Sequence, residues 1–274
     1  MRSALRPGHK AITGVLHLGR LLGQEGFAGV GALTAAALDD ARALEAGGVD
    51  ALLVENFADA SPGPFVDAAT VACLARVCAA VRAATALPVG VNVLPNDYRA
   101  AFALARACGL DFVQLDVLVD AVRTDYSYSD APPFEVRVDL ADLAAVRARL
   151  GAQGVPLWGT VHPKHYALLE ATALEAQAVA AVQAGAQAVV VTGAATGQAP
   201  DAGRVARVRR ALGQDVPLVV GSGLDASNAA ALLEHADGAI VGTALRAPGL
   251  GPVVVEQVRA VVAAARAVRV HSPR

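Results

Sequence analysis

The stretch AGGVDALLVENF at residues 46–57 decides the fold class of this chain. Two glycines end an alanine-rich segment, an aspartate follows, and a short aliphatic run then ends in polar residues. Glycine just past a helix end is typical of a left-handed cap. A run that is apolar at successive positions is typical of a strand that is buried on both faces. The stretch therefore predicts a helix followed by a strand of a parallel sheet.

The same pattern recurs along the chain. Short aliphatic runs lie at residues 12–16, 51–55, 89–94, 112–117, 157–161, 188–192, 218–220 and 239–241, with helical segments between them. The even-numbered runs follow a helix end, whereas the third, fifth and seventh open with proline, which a strand tolerates at its first residue. Eight such units predict an α/β chain with one (β/α)8 TIM-barrel domain over residues 11–270, preceded by an N-terminal tail at 1–10. A doubly wound open sheet is the alternative, but it would not need eight units.

One connection is longer than the others. Residues 118–139 separate the fourth predicted strand from its helix and carry Tyr126 and Tyr128. Long loops in compact domains are usually functional or disordered. We expect this loop to lie at the mouth of the barrel, where it is placed to act as a lid.

Composition limits the classes of partner. The 274 residues carry a net charge of −2 and only 4% aromatic residues, which argues against binding to nucleic acid. The longest uncharged stretch, 176–200, is interrupted by glutamine and glycine, so no membrane span is expected. Three cysteines without a metal-ligand spacing indicate a reduced, cytoplasmic protein. Peripheral membrane association and homo-oligomerisation stay open.

Polar residues follow nearly every predicted strand. Because active sites of barrels form from the loops after the strands, these residues are expected to converge on one ligand site. The candidate catalytic residues are His17, Glu55, Asp116 and Lys164. The candidate substrate-binding residues are Asn92, Asn96, His162, His165, Thr192 and Thr196.

Lysine usage singles out one candidate. Only Lys10 and Lys164 are lysine among the 23 basic residues, and Lys164 follows the fifth predicted strand between two histidines. A lysine amine can act as a base or form a Schiff base, which a guanidinium does not do. We therefore expect Lys164 to contact the ligand.

The last two predicted strands end in glycine-containing loops. Gly221, Ser222 and Gly223 follow the seventh strand, and Gly242 and Thr243 follow the eighth. These loops are the usual phosphate site of the barrel fold, because glycine lets backbone N–H groups approach an anion. The sequence thus predicts binding of a small phosphorylated metabolite.

No cofactor is predicted. The chain has no HxH or HExxH spacing, and no residue is assigned as a metal ligand. His17, Glu55, Asp116 and His162 nevertheless combine imidazole and carboxylate groups, which suit several divalent ions. A divalent metal therefore stays open.

Several motifs resemble those of the BtpA/SgcQ family of TIM-barrel proteins over residues 11–260. The motifs are GVLHL at 14–18, GGVD at 47–50 with VENF at 54–57, Asp59 with Pro64-Phe65, PVGVNVL at 88–94 with Asn96-Asp97, Lys164-His165, VTG at 191–193 with Thr196-Gly197, GSG at 221–223 with Asn228, ADG at 236–238 and IVGT at 240–243. The family's fourth strand usually reads Arg-Val-Asn, where this chain has Gln114-Leu115-Asp116.

The resemblance implies a barrel whose relatives include factors of photosystem I biogenesis and proteins that occur with sugar-metabolism genes. Two hypotheses follow. The first is an enzyme that performs lyase, isomerase or aldol-type chemistry on a phosphorylated metabolite, with Glu55 or Asp116 as general base. The second is a non-catalytic biogenesis factor for a membrane complex.

Overall fold

The computed structural model describes residues 3–6, 8–58, 61, 63–124, 132–193, 198–249 and 251–268. The strands are β1 (Ala11–His17), β2 (Ala51–Glu55), β3 (Val89–Asn92), β4 (Phe112–Leu115), β5 (Val122–Thr124), β6 (Glu135–Val136), β7 (Leu157–Val161), β8 (Tyr166–Leu168), β9 (Ala188–Val191), β10 (Leu218–Val220) and β11 (Gly238–Val241). The helices are α1 (Val30–Gly47), α2 (Ala68–Ala84), α3 (Tyr98–Cys108), α4 (Leu140–Arg149), α5 (Leu174–Gln183), α6 (Ala202–Leu212), α7 (Ala229–Leu233) and α8 (Val255–Arg266). None of these described helices is long and apolar enough to cross a bilayer.

Eight parallel strands close into a barrel in the order β1-β11-β10-β9-β7-β4-β3-β2. The ring closes where Ala11 to Gly14 of β1 pair with Gly238 to Val241 of β11. A helix follows each barrel strand before the next one begins. The prediction of a single (β/α)8 TIM barrel is confirmed.

The barrel has two apolar cores, one inside the strands and one between the strands and the helices. The inner core includes Phe112 and Trp158, whose rings stack with centroids 4.2 Å apart. Gly90 of β3 makes room for this pair, since a Cβ there would lie 2.3 Å from the Phe112 ring. The outer core holds the buried Cys73 and Cys78 of α2, which are free thiols.

Four side chains at the amino-terminal end of the barrel explain the alternating sequence pattern. The second, fourth, sixth and eighth barrel strands along the chain are β2, β4, β9 and β11. The side chain just before each of them accepts a hydrogen bond from the first or second backbone N–H of the barrel strand that precedes it, which is β1, β3, β7 or β10. The same residue also donates its own N–H to that neighbour's carbonyl. The pairs are Asp50 with Ile12, Asp111 with Val89, Gln187 with Leu157, and Asp237 with Leu218, at 2.6–3.1 Å. In the last three pairs the partner residue directly follows a proline.

Part of the segment predicted as one long loop forms strands. β5 pairs with β6 and, on its other edge, with β8, which gives a three-stranded antiparallel sheet. Val117, Val122 and Val136 form a small apolar cluster beneath this sheet. The Tyr166 hydroxyl donates to the carbonyl of Pro95 at 2.9 Å, which fixes the sheet beside the barrel mouth. Tyr126 and Tyr128 lie outside the described residues.

Candidate active site at the mouth of the barrel

A cavity of about 250 Å³ lies inside the carboxyl-terminal end of the barrel. Every second residue of a strand faces the barrel axis, so the inner apolar core ends in polar residues at this level. The lining includes His17, Glu55, Gln114, Asp116, Thr160, Lys164, His165, Thr192, Gly221, Ser222, Gly223, Asp225, Gly242 and Thr243. The carboxyl ends of β1, β2, β7, β10 and β11 and the residues just after β4 and β9 thus contribute to one site.

The floor of the cavity is a hydrogen-bonded network of Glu55, Asn92, Gln114, Asp116 and Thr160. The amide of Asn92 donates to Glu55 Oε2 and to Asp116 Oδ1, both at 3.2 Å. The amide of Gln114 donates to the same Asp116 oxygen at 2.8 Å and to Thr160 Oγ1 at 3.1 Å. Two carboxyl groups are therefore held side by side by two carboxamides.

Burial changes the acidity of both carboxyl groups, and the charge of Asp116 adds to the effect at Glu55. Loss of solvent and the neighbouring Asp116 charge raise the pKa of Glu55 to about 7. Burial likewise raises the pKa of Asp116, although the positive charge of Lys164 and the two amide donors oppose that change. A carboxyl group with a pKa near 7 exchanges protons readily at neutral pH, which is the property of a general base.

His17 sits beside Glu55 as a neutral imidazole. Its Nε2 lies 3.6 Å from Glu55 Oε1, and its ring packs against Phe57 with centroids 4.5 Å apart. Burial, together with the charges of Arg246 and Lys164, lowers the pKa of His17 to about 3. Nδ1 is buried without a hydrogen-bond partner in the described part of the chain.

Gly242 leaves the space that His17 occupies. A Cβ at residue 242 would lie 2.4 Å from Cε1 of the imidazole, and the backbone angles φ −120° and ψ −77° lie outside the main regions that a residue with a Cβ adopts. Gly242→Ala is expected to lower the free energy of unfolding by about 1–3 kcal/mol, with overpacking against His17 as one cause. Urea unfolding measures the effect, and adding His17→Ala should recover the part of the loss that comes from the contact with the ring.

The matched control for this experiment is Gly31→Ala in the first turn of α1. A Cβ at Gly31 meets no atom within 4 Å, so this variant should keep the stability of the parent or exceed it. If Gly242→Ala is equally harmless, His17 is not held against the loop after β11.

Lys164 enters the cavity from the loop after β7. His162 and His165 on either side of it have positive φ angles of 46° and 64°, which give this loop its sharp turn. The backbone N–H of Lys164 donates to Thr192 Oγ1 at 3.1 Å. Its ammonium group makes no ion pair with any described carboxylate, yet its charge acts on Glu55, Asp116 and His17. The lysine is thus available to a ligand in the cavity.

The two glycine loops, residues 221–223 and 242–243, border the same cavity. Within the described residues, the backbone N–H groups of Gly223, Thr243 and Ala244 have no hydrogen-bond partner. Gly223 has a further structural role: its φ is +71°, and a Cβ there would lie 2.0 Å from the backbone of Ala199. A substitution at Gly223 would therefore disturb loop packing and cannot serve as a clean test of anion binding.

Known proteins are similar to almost the whole length of this chain. The BtpA family model matches residues 8–267. The chain belongs to the BtpA family. A protein of Thermococcus kodakarensis is 36% identical over 96% of this chain and 98% of its own. The photosystem I biogenesis protein BtpA of Synechocystis is 31% identical over 88% and 82%, and the sgc region protein SgcQ of Escherichia coli is 27% identical over 91% of each.

Two solved structures with the same fold are much more distant from this BtpA-family chain in sequence. The N-(5'-phosphoribosyl)anthranilate isomerase of Pyrococcus furiosus superposes with a TM-score of 0.58 at 12% identity and covers 95% of this chain and 100% of its own. The thiamine phosphate pyrophosphorylase of the same organism gives 0.56 at 13% identity, with coverages of 93% and 95%. At this identity the likeness shows the fold alone.

The structure does not bring all predicted site residues of the BtpA-family chain into the cavity. The side chain of Asn96 donates to and accepts from the backbone of Val117, so it fixes the end of β4. The ring of His162 forms a hydrogen bond with Thr172 Oγ1 at 3.0 Å and does not line the cavity. The backbone N–H of His162 donates to the buried Asp120. Asn92 reaches the site only through the two carboxyl groups. Thr196 lies outside the described residues.

Thr160 of the floor was not among the predicted site residues. Gln114 and Thr160 point inward because they lie two residues after Phe112 and Trp158 of the inner core, and inward positions recur with a period of two along a strand. Counting forward by two from the inward-facing Trp158 finds Thr160. In the described part of the chain, no three His, Cys, Asp or Glu side chains are arranged to hold a metal ion.

Proposed function

We propose that this BtpA-family protein is an enzyme that acts on a phosphorylated small metabolite by lyase, isomerase or aldol-type chemistry. The observation that carries the proposal is Glu55, a carboxyl group with its pKa raised to about 7, which faces a cavity that also contains the unpaired ammonium of Lys164. All three reaction types begin with removal of a proton near a carbonyl group, or with attack of an amine on it.

Each residue then has a definite task. Glu55 takes the proton from carbon, because its pKa lies close to the pH at which the enzyme works. Lys164 stabilises the negative charge that develops on the substrate oxygen, and the buried surroundings strengthen this interaction. His17 is neutral, so its imidazole can form a hydrogen bond with Glu55 or with the substrate. Asp116 keeps Glu55 partly protonated through its charge.

The backbone N–H groups of Gly223, Thr243 and Ala244 have no partner among the described residues, and they would bind the phosphate group. Backbone N–H groups at such loops suit an anion because they carry partial positive charge and need no rearrangement. The names of the two structural neighbours also refer to phosphorylated compounds, although their likeness extends to the fold alone. The glycine loops and the two carboxyl groups line the same cavity, so one ligand can contact the amides with its phosphate and the carboxyl groups with its other end.

Hydrogen exchange at carbon tests the proposal directly. Phosphorylated aldoses and ketoses are incubated with the protein in deuterated water, and proton NMR records loss of a carbon-bound hydrogen. We expect exchange with at least one of them, and we expect Glu55→Gln to slow it by about 10²–10⁴-fold. Lys164→Ala and Lys164→Arg should also abolish exchange, although Lys164→Ala changes the unfolding free energy by no more than about 0.5 kcal/mol. Parent-like exchange in all three variants would refute the assignment.

The name of the Synechocystis relative favours a second candidate, a non-catalytic biogenesis factor. Such a factor needs a docking face. The large apolar side chains that are exposed in the described residues lie on six separate segments, at Leu22, Val30, Phe65, Leu140, Leu168 and Val179. If no phosphorylated compound binds or exchanges, this second candidate is the one to pursue.

A further inference from the structure

The floor of the cavity has used its amide donors and retains acceptors. Both hydrogens of the Asn92 amide go to Glu55 and Asp116. Both hydrogens of the Gln114 amide go to Asp116 and Thr160. A carboxylate can accept about four hydrogen bonds. Glu55 accepts one and Asp116 accepts two within the described residues, so most of their capacity faces the cavity unused.

The charges at the floor also favour a ligand end that donates hydrogen bonds and carries no negative charge. Glu55 and Asp116 are two carboxyl groups side by side, and Lys164 is the one cationic side chain in the described lining of the cavity. A carboxylate on the ligand would meet charges of its own sign, which is strongly unfavourable. A purely aliphatic end would remove water from both carboxyl groups and leave their remaining lone pairs without donors, which is also unfavourable.

We infer that the end of the substrate away from the phosphate is uncharged and bears hydroxyl groups, which donate hydrogen bonds to Asp116 and Glu55. The substrate class is thus a polyol or sugar monophosphate rather than a phosphorylated carboxylic acid. This inference rests on the proposed function, because the phosphate end is needed to orient the ligand. A cavity of about 250 Å³ has room for about eight water molecules, which suits a small ligand of this class.

Three phosphate esters with the same three-carbon skeleton test the inference by calorimetry, with inorganic phosphate as reference. Glycerol 3-phosphate ends in hydroxyl groups, 3-phosphoglycerate ends in a carboxylate, and propyl phosphate has no hydroxyl group on its carbon chain. We expect glycerol 3-phosphate to bind at least about tenfold more tightly than propyl phosphate. We expect it to bind at least about a hundredfold more tightly than 3-phosphoglycerate.

Asp116→Asn identifies the residue responsible. It removes one negative charge from the floor, so the preference for glycerol 3-phosphate over 3-phosphoglycerate should fall by at least about tenfold. Asp215→Asn changes an exposed carboxylate in the turn before β10, at the end of the barrel opposite the cavity, and should leave the preference as it is.

The outcomes separate the inference from the proposed function. If all three esters bind as inorganic phosphate does, or if 3-phosphoglycerate binds best, the inference is overturned while the phosphate site stands. If neither the esters nor inorganic phosphate bind, the phosphate site falls and the inference falls with it. A preference that survives Asp116→Asn unchanged would likewise overturn the assignment to the floor.

Discussion

Replacing Glu55 with glutamine is expected to raise the free energy of unfolding by about 3 kcal/mol above about pH 7.5, while it removes the proton acceptor of the proposed reaction. The carboxyl group has its ordinary pKa of 4.5 in the unfolded chain and a pKa of about 7 in the folded one. Between these values the folded state binds more protons than the unfolded state does, so the parent loses stability as the pH rises. Glutamine carries no charge at any pH and avoids this loss.

The sign of this effect makes it diagnostic. Below about pH 4 the carboxyl group is protonated in both states, so the variant and the parent should unfold alike. The gap should open as the pH rises from about 4.5 to 7 and then stay constant. His17, whose pKa is lowered, changes the stability of both proteins equally and cancels in the difference.

Urea unfolding at a series of pH values measures the gap. Glu45→Gln, which replaces an exposed carboxyl group on α1, is the control for the loss of a carboxylate. If Glu55 stabilised the fold, its replacement would lower the free energy of unfolding. A gain in the free energy of unfolding that grows with pH indicates a buried carboxyl group that destabilises the fold and is retained for function, which is common at active sites. A pH-independent loss in Glu55→Gln would contradict the buried, proton-holding state.

Arg209→Leu is expected to lower the free energy of unfolding by about 3 kcal/mol. This buried arginine of α6 pairs with Asp237 and donates to the carbonyls of Gly213, Val216 and His235 at 2.8–2.9 Å. Leucine fills part of the volume but leaves three carbonyls without this donor, and it leaves Asp237 with the backbone N–H of Leu218 alone among the described donors. Because the side chain of Asp237 is 38% exposed, water relieves part of the loss.

Thermal unfolding checks this expectation. For a chain of this size, about 3 kcal/mol corresponds to a melting temperature lower by about 6–12 °C. Arg42→Leu is the matched control, since Arg42 pairs with Asp39 on the surface of α1 with both side chains more than two-thirds exposed. That pair should contribute no more than about 0.5 kcal/mol. Equal melting temperatures for the two variants would show that Arg209 is not a structural anchor.

The sequence predicts the barrel well because each strand has its own local signal. The runs at 51–55, 157–161 and 218–220 coincide with β2, β7 and β10. Glycine marks the ends of helices and proline marks the starts of strands, because each of these residue types has its own backbone preference. The signals alternate because every second barrel strand is preceded by a side chain that accepts a hydrogen bond from the strand before it. These side chains are Asp50, Asp111, Gln187 and Asp237.

The small antiparallel sheet and part of the site could not be predicted in this way. β5, β6 and β8 have two or three residues each, which is too short for a periodic pattern, and β8 lies 42 residues beyond the end of β5. His162 was assigned to the site from its place after a strand, but its backbone turns through a positive φ and directs the ring toward Thr172. Such orientations depend on tertiary contacts and not on residue type.

The closure of the barrel also has a mechanical consequence. β1 and β11 are the first and last strands of the ring along the chain, and they pair over four residues. Directly above this seam, His17 of β1 contacts Gly242, which follows β11. A molecule held between Glu55 and the amides of Thr243 and Ala244 would bridge the seam from one side to the other. Pulling the two ends of the chain apart would then require a larger force in the liganded barrel than in the empty one.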